Sequence, residues 1–109
     1  MPAAYKVLGQ SNPSAATLTT LYTAPASTSA VVSTIAVCNQ SATAGTFRVA
    51  IRPAGATVAA QHYIAFDAAV AANDTVFLTL GVSLATTDVV SVYASSASQS
   101  FSVFGSEIT

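Results

Sequence analysis

The stretch TFRVAIRP, residues 46–53, has the clearest pattern in the chain. Its apolar and polar members alternate, with Phe47, Val49 and Ile51 in one row and Arg48, Ala50 and Arg52 in the other. Successive side chains of a β-strand point to opposite faces, so this alternation predicts a strand with one apolar face and one polar face. Pro53 ends the strand because proline lacks the backbone N–H that a sheet needs.

The rest of the chain repeats this arrangement. Segments rich in Val, Ile, Thr, Tyr and Phe are separated by clusters of Gly, Pro, Asn and Ser, which is typical of short strands joined by turns. The predicted strands lie at residues 3–9, 17–24, 29–39, 45–52, 61–70, 75–84, 88–95 and 100–108. Eight strands of this kind indicate an all-β fold, an antiparallel β-sandwich or a jelly roll. No linker divides the chain, so we expect residues 1–109 to form one domain.

Two Ala-rich stretches have the composition of helices. They are AGATVAA at residues 54–60 and AFDAAVAA at residues 65–72. Neither repeats its apolar residues with the 3.6-residue period of an amphipathic helix. We therefore predict no helix in either stretch, and the second overlaps the strand predicted at 61–70.

The segment 29–39 is apolar on both faces. Simple alternation places Val31, Ile35 and Val37 on one face and Val32, Ala36 and Cys38 on the other. Either a loop or terminus of the same chain covers the second face, or another subunit does, and an apolar run does not separate these alternatives. The same question applies to residues 88–94. The candidate subunit interface is therefore Val32, Ala36, Val90 and Val92, and we expect Cys38 to be buried in the sheet.

Charge is scarce along the whole chain. Charged residues make up 6% of the sequence, against about 25% in a typical domain. The surface must then consist largely of Ser, Thr, Ala, Asn and Gln, which give little repulsion between copies and little desolvation cost on contact. This favours a packed assembly; the alternative is a small soluble domain that is merely rich in these residues.

Several classes of partner do not fit the sequence. Three Lys and Arg residues are too few to neutralise a run of phosphates, so we expect no nucleic-acid partner. Every apolar run is interrupted by Ser, Thr, Asn or Gln, so we expect no membrane helix.

The start, MPAAYKVLGQ, lacks the pattern of a signal peptide, and the single Cys38 cannot form an internal disulfide. These features predict folding in a reducing cytoplasm.

The sequence also lacks a recognisable pattern of catalytic or metal-binding residues. His62 is the only histidine, and Asp67, five positions later, falls on the opposite face of a continuous strand. No nucleophile elbow, phosphate loop or clustered ligand spacing is present. Asp74 and Asp88 fit turns. We predict no enzymatic activity, no metal and no cofactor.

Arg48 and Arg52 are the best candidates for a polar contact with a partner. They share one face of the strand at 45–52, about 13 Å apart. A pair of arginines on so uncharged a chain would suit an acidic patch on another protein. The alternative is that both are solvated and keep the sheet soluble.

Motifs along residues 21–108 resemble those of small virion proteins of tailed bacteriophages. The matching segments are LYTAP at 21–25, VVSTIAVCN at 31–39, TFRVAIRPAG at 46–55, QHYI at 61–64, ANDT at 72–75 and DVVSVYAS at 88–95. Each is short, and it is their order and spacing that carry the resemblance.

The resemblance implies a structural protein of the virion, without catalytic or metal-binding residues, that assembles in the host cytoplasm. Proteins of this kind serve as cement, or decoration, proteins on the capsid, commonly as trimers bound to the major capsid protein. They also serve as tail, neck, baseplate or fibre parts, some of them host-binding. Between these we expect a capsid cement protein that acts as a homotrimer, because low aromatic content disfavours a receptor-binding surface.

Overall fold

The computed structural model describes residues 3–109, with only the backbone for Leu80. It contains eight strands: β1 (Ala3–Ser11), β2 (Thr19–Thr23), β3 (Ser29–Asn39), β4 (Gly45–Arg52), β5 (Tyr63–Val70), β6 (Thr75–Leu84), β7 (Val89–Ala94) and β8 (Gln99–Ile108). Every predicted strand is present, with ends that differ by at most two residues. The all-β fold class is therefore confirmed.

The strands form two four-stranded antiparallel sheets. Sheet A has the order β1-β8-β3-β6, and sheet B has the order β2-β7-β4-β5. Strands pair first with last, second with seventh, third with sixth and fourth with fifth, as if one long hairpin had been wrapped into a sandwich. This is the strand order of a jelly roll, so it decides between the two architectures that the sequence left open.

The Ala-rich stretches form no α-helix. Residues 65–72 lie mostly in β5, and residues 54–60 lie in the connection between β4 and β5. That connection contains two short 3₁₀ turns, Pro53–Gly55 and Ala60–His62. Propensity alone does not make a helix here, because neither stretch has a continuous apolar stripe to bury.

The core lies between the two sheets and is made of Val, Ile, Leu and Phe side chains. Phe47 of β4 and Phe101 of β8 meet edge to face across it, with ring centroids 6.3 Å apart. Both are almost completely buried. Edge-to-face packing contributes beyond the burial of apolar area, so this pair joins the two sheets at their centre.

Strand β3 does not alternate uniformly. Its register against both β6 and β8 shifts between Val32 and Thr34, and Ser33 has no partner in β8. One extra residue inverts the alternation of side chains. Val32 therefore points into the core with Ile35 and Val37, and the sequence assignment of Val32 to the other face is wrong.

The structure corrects most of the predicted subunit interface, and the shift in β3 explains only the position of Val32. Val32, Val90 and Val92 have no exposed area and belong to the chain's own core. They cannot reach a partner in this fold. Ala36 does lie on the outer side of sheet A and is partly exposed, so its role in an interface stays a prediction.

The side chains of Asn39 and Asp88 hydrogen-bond to backbone groups of the loops. The Asn39 side-chain amide donates to the carbonyl oxygens of Thr43 (2.9 Å) and Ala71 (3.2 Å). Asp88 accepts from the backbone N–H groups of Ala54 and Ala85, both at 2.9 Å. The prediction that Asp88 has a turn role is thus confirmed, and these side chains satisfy backbone groups that the strands leave free.

Two strand glycines in sheet A give a direct test of close packing. A Cβ at Gly105 would fall inside contact distance of the Val31 carbonyl oxygen, whereas a Cβ at Gly81 would meet nothing within 4 Å. We expect Gly105→Ala to lower the free energy of unfolding by about 1–3 kcal/mol. The matched Gly81→Ala change should stay within about 0.5 kcal/mol of wild type. Urea unfolding measures both, and equal stability of the two variants would contradict this account of the β3–β8 contact.

Candidate functional site

The histidine lies in a structural turn. His62 Nδ1 accepts a hydrogen bond from the backbone N–H of Ala59 at 2.9 Å. Asp67, its nearest acid in the sequence, is paired instead with Arg48. His62 and Asp67 therefore each have another hydrogen-bonding partner in the fold.

A survey of residues 3–109 finds no group of three or more His, Cys, Asp or Glu side chains placed to hold a metal ion. Within the same residues no helix is long and apolar enough to cross a membrane.

Arg48 is held between two aromatic rings on the outer side of sheet B. Its guanidinium carbon lies 4.1 Å from the centre of the Phe66 ring and 4.3 Å from that of Tyr93. Its Nε is 2.7 Å from Asp67 Oδ1. Asp67 has a left-handed backbone, with φ of 51°, at a register shift between β4 and β5. This irregular turn brings Phe66 and Asp67 together opposite a single residue of β4.

Arg52 hydrogen-bonds to the segment that connects β4 to β5, on the same side of sheet B. Its Nε donates to Ser91 Oγ at 3.0 Å, and its Nη1 donates to the carbonyl oxygen of Ala56 at 3.1 Å. Segment 53–62 packs over β4 and β7. Ser91 and Ala50 point outward but are 1% and 0% exposed. The chain thus covers much of this side of sheet B with its own residues.

Arg48 and Arg52 therefore share a strand face, as predicted, but they are not free solvated groups. Each makes specific contacts within the chain, Arg48 with Asp67 and Arg52 with Ser91, and the alternative that both mainly keep the sheet soluble also stays a prediction. The role of either arginine in a partner contact stays a prediction. Any partner would meet Arg48 in a fixed position, with only 25% of its side chain exposed.

The outer side of sheet A is different. We call it face A: the surface of β1, β8, β3 and β6 that points away from sheet B. It carries four of the six large apolar side chains that are exposed in the described residues: Tyr5 (88%), Phe77 (64%), Val7 (48%) and Val31 (36%). Between these the face carries Phe104, which is partly buried between Val7 and Thr34, and a number of small side chains. Ser102 and Ala36 lie side by side in the row that ends at Phe77.

No charged side chain lies on face A. The chain has three Lys or Arg and four Asp or Glu residues, and the structure places each of them elsewhere. Arg48, Arg52 and Asp67 lie on sheet B, Asp74 and Asp88 lie in loops, and Lys6 and Glu107 lie on the side of sheet A that faces sheet B. Face A is therefore neutral across four strands, with exposed apolar side chains set among Ser and Thr residues.

Lys6 and Glu107 form a small polar cluster with Tyr22 at one end of the sandwich. Glu107 accepts from Tyr22 Oη at 2.6 Å, and its other oxygen lies 2.7 Å from Lys6 Nζ. The hydrogen bonds from Lys6 and then from Tyr22 lower the pKa of the Glu107 carboxyl. Burial and the bond to Glu107 raise the pKa of the Tyr22 hydroxyl. Both shifts favour the observed state, a neutral phenol bound to a carboxylate.

Cys38 also differs from the expectation. It was predicted to be buried among the apolar residues of β3, but it is partly exposed on face A, opposite Ser100 and Thr75. The reason is again the register shift in β3, which turns Ile35 and Val37 inward and Cys38 outward. Alternation along β3 correctly places Cys38 and Val37 on opposite faces of the sheet. It does not show which of the two faces the rest of the chain covers.

A shallow cleft of about 570 Å³ lies beside β5. Its walls are the segment Val58, Ala59 and Ala60 and the rings of Tyr63 and Phe66. The two rings meet at 84° with centroids 5.0 Å apart. All of its wall residues lie within positions 58–66, but no motif in that stretch predicts a cleft, because its shape depends on how the 3₁₀ turn at Ala60–His62 places the loop beside β5.

No protein-family model, curated protein or solved structure matches the chain. Its fold and its surfaces are therefore the basis for a functional argument. The likeness to bacteriophage virion proteins rests on the motifs alone and stays a prediction.

The contacts of Arg48 lead to a stability prediction. Arg48→Ala removes the ion pair with Asp67 and both ring contacts, so we expect a lower melting temperature. Arg48→Lys should recover only part of the loss, because an ammonium group lacks the planar stacking of a guanidinium. Thermal melts followed by circular dichroism measure this. An unchanged melting temperature for Arg48→Ala would mean that the side chain is effectively solvated.

Glu107 leads to a pH prediction. Its pKa lies below the ordinary value of 4.5, so the folded chain binds this proton more weakly than the unfolded chain does. The Glu107 carboxylate therefore contributes stability at pH values above its ordinary pKa. This contribution is lost as the pH falls through the lowered pKa of the folded state. We expect Glu107→Gln to be less stable than wild type at neutral pH. The difference should shrink between about pH 5 and pH 3, as measured by urea unfolding, whereas a constant difference would contradict the assignment.

Proposed function

We propose that this chain is a non-enzymatic structural protein of a bacteriophage virion. In this proposal it assembles in the host cytoplasm and binds the major capsid protein as a small homo-oligomer, as a cement protein that stabilises the head shell. The observation that carries the proposal is face A, a four-stranded surface without charge that exposes Tyr5, Val7 and Phe77.

Monomeric proteins seldom leave a large contiguous apolar surface in water, and such surfaces commonly mark contact sites for other proteins. Face A has no charged group to desolvate, so covering it costs little. The remaining charges are occupied within the chain or lie in loops. A subunit that is covered by neighbours accounts for this distribution better than a domain that functions alone.

The fold supports this proposal by analogy only. Jelly rolls recur in viral capsid proteins, and they also occur in lectin domains and in enzymes. The order of the phage-like motifs and the neutral face are the more specific arguments, and both favour a part of a particle.

The second candidate is a tail, neck, baseplate or fibre module that binds the host. One observation favours it: Phe66 is 57% exposed beside the cleft formed with Tyr63. Exposed aromatic rings beside a concave surface are common features of recognition sites.

The test is to locate the protein in purified particles of the phage that encodes it. We expect quantitative mass spectrometry to find a copy number comparable to that of the major capsid protein, and electron cryomicroscopy to place it on the head. Particles that lack the gene product should assemble but lose DNA at a lower temperature. A few copies at the tail would support the second candidate, and absence from purified particles would overturn the virion role.

A further inference from the structure

We propose that face A binds face A of a second copy of this chain, so that the protein forms a two-fold symmetric dimer. This inference rests on the surface that carries the proposed function, and it names the partner of that surface.

Charge favours a second copy as the occupant. A partner with Lys, Arg, Asp or Glu over face A would bury a charge opposite a surface that has no charged group to pair with it, which is strongly unfavourable. A second copy brings a face on which none of the chain's charged side chains lies. The two faces are therefore electrostatically matched to each other without any further residue.

The large side chains of face A also allow a two-fold symmetric pairing. Tyr5 and Val7 project from β1 at one edge of the sheet, and Phe77 projects from β6 at the other edge. A two-fold axis that lies in the interface along the strands places β1 of one copy over β6 of the other. The side chains of Tyr5 and Val7 then lie over the strand that carries Phe77, and Phe104 on β8 of one copy lies over β3 of the other copy.

The area is adequate for a stable pair. Four strands spaced about 4.8 Å apart and about 30 Å long give a footprint of roughly 600 Å². The corrugated molecular surface is larger than this flat footprint, which brings it close to the roughly 800 Å² per partner of a typical stable interface. The whole of face A is needed, so contacts near both edges of the sheet should matter.

Sheet B has no equivalent surface. Segment 53–62 and the side chains of Arg48 and Arg52 cover much of its outer side. A face that packs on itself produces a closed pair, whereas a three-fold ring requires two different surfaces on each subunit. The structure thus favours a dimer over the trimer that the sequence resemblance implies.

The main experiment is light scattering on the purified full chain at micromolar concentrations. Wild type should have the mass of two chains. Phe77→Asp places a charge on face A and should reduce the mass to that of one chain. Ile64→Asp is the matched control, because Ile64 is 45% exposed on β5, outside face A, and this variant should remain a dimer. Circular dichroism and a cooperative melt show that each variant is folded.

Cys38 supplies an independent measurement, because it lies on face A. In wild type, labelling by a thiol reagent should slow as protein concentration rises, since pairing covers the thiol. In Phe77→Asp the rate should not depend on concentration. If Phe77→Asp does not fold, Tyr5→Asp serves in its place, because Tyr5 is 88% exposed and its replacement removes almost no internal contact.

A wild-type monomer or trimer would overturn the dimer, and so would a dimer that survives Phe77→Asp and is disrupted by Ile64→Asp. These outcomes are separate from the test of function. A monomer that is abundant on phage heads would support the cement role and contradict only the dimer. A dimer that is absent from particles would support the self-pairing of face A and contradict the virion role.

Discussion

The register shift in β3 determines both the core and the surface of this protein. Strand β3 lies inside sheet A, paired with β8 on one side and β6 on the other. Because Ser33 has no partner in β8, the strand changes the face that its apolar residues present at that point. Val32, Ile35 and Val37 can then all reach the core. Without the shift, either Val32 or the pair Ile35 and Val37 would point to solvent.

The same shift gives face A its character. With Val32 turned inward, the outer positions of β3 are filled by small or apolar residues without charge: Ser29, Val31, Ser33, Thr34, Ala36 and Cys38. Neighbouring strands add Ser102 on one side and Phe77 on the other. The result is a surface that neither charge nor a covering segment of the described chain protects from contact with other proteins.

The two outer surfaces of the sandwich are therefore unequal. On sheet B, Arg48 and Arg52 are used to hold aromatic rings and a connecting segment in place. On sheet A, the ion pair between Lys6 and Glu107 lies on the inner side near Tyr22. With so few charges available, using them for internal contacts leaves none for the outer side of sheet A. This asymmetry, rather than low charge as such, is what distinguishes the chain as a candidate assembly protein.

The sequence by itself determined where the strands lie, because alternation of side chains and turn-forming residues are local properties. It also determined that Arg48 and Arg52 share a face, since no irregularity falls between them in the pairing of β4 with β7. Only the tertiary structure decided the strand order, the partners of Arg48 and the outward position of Cys38. The shift at Ser33 appears only in the pairing of β3 with β6 and β8, and Phe104 of β8 follows about seventy positions later in the chain. Alternation within one strand carries no information about the register of a partner so distant in sequence, and that register decides which apolar residues are buried and which remain available to another protein.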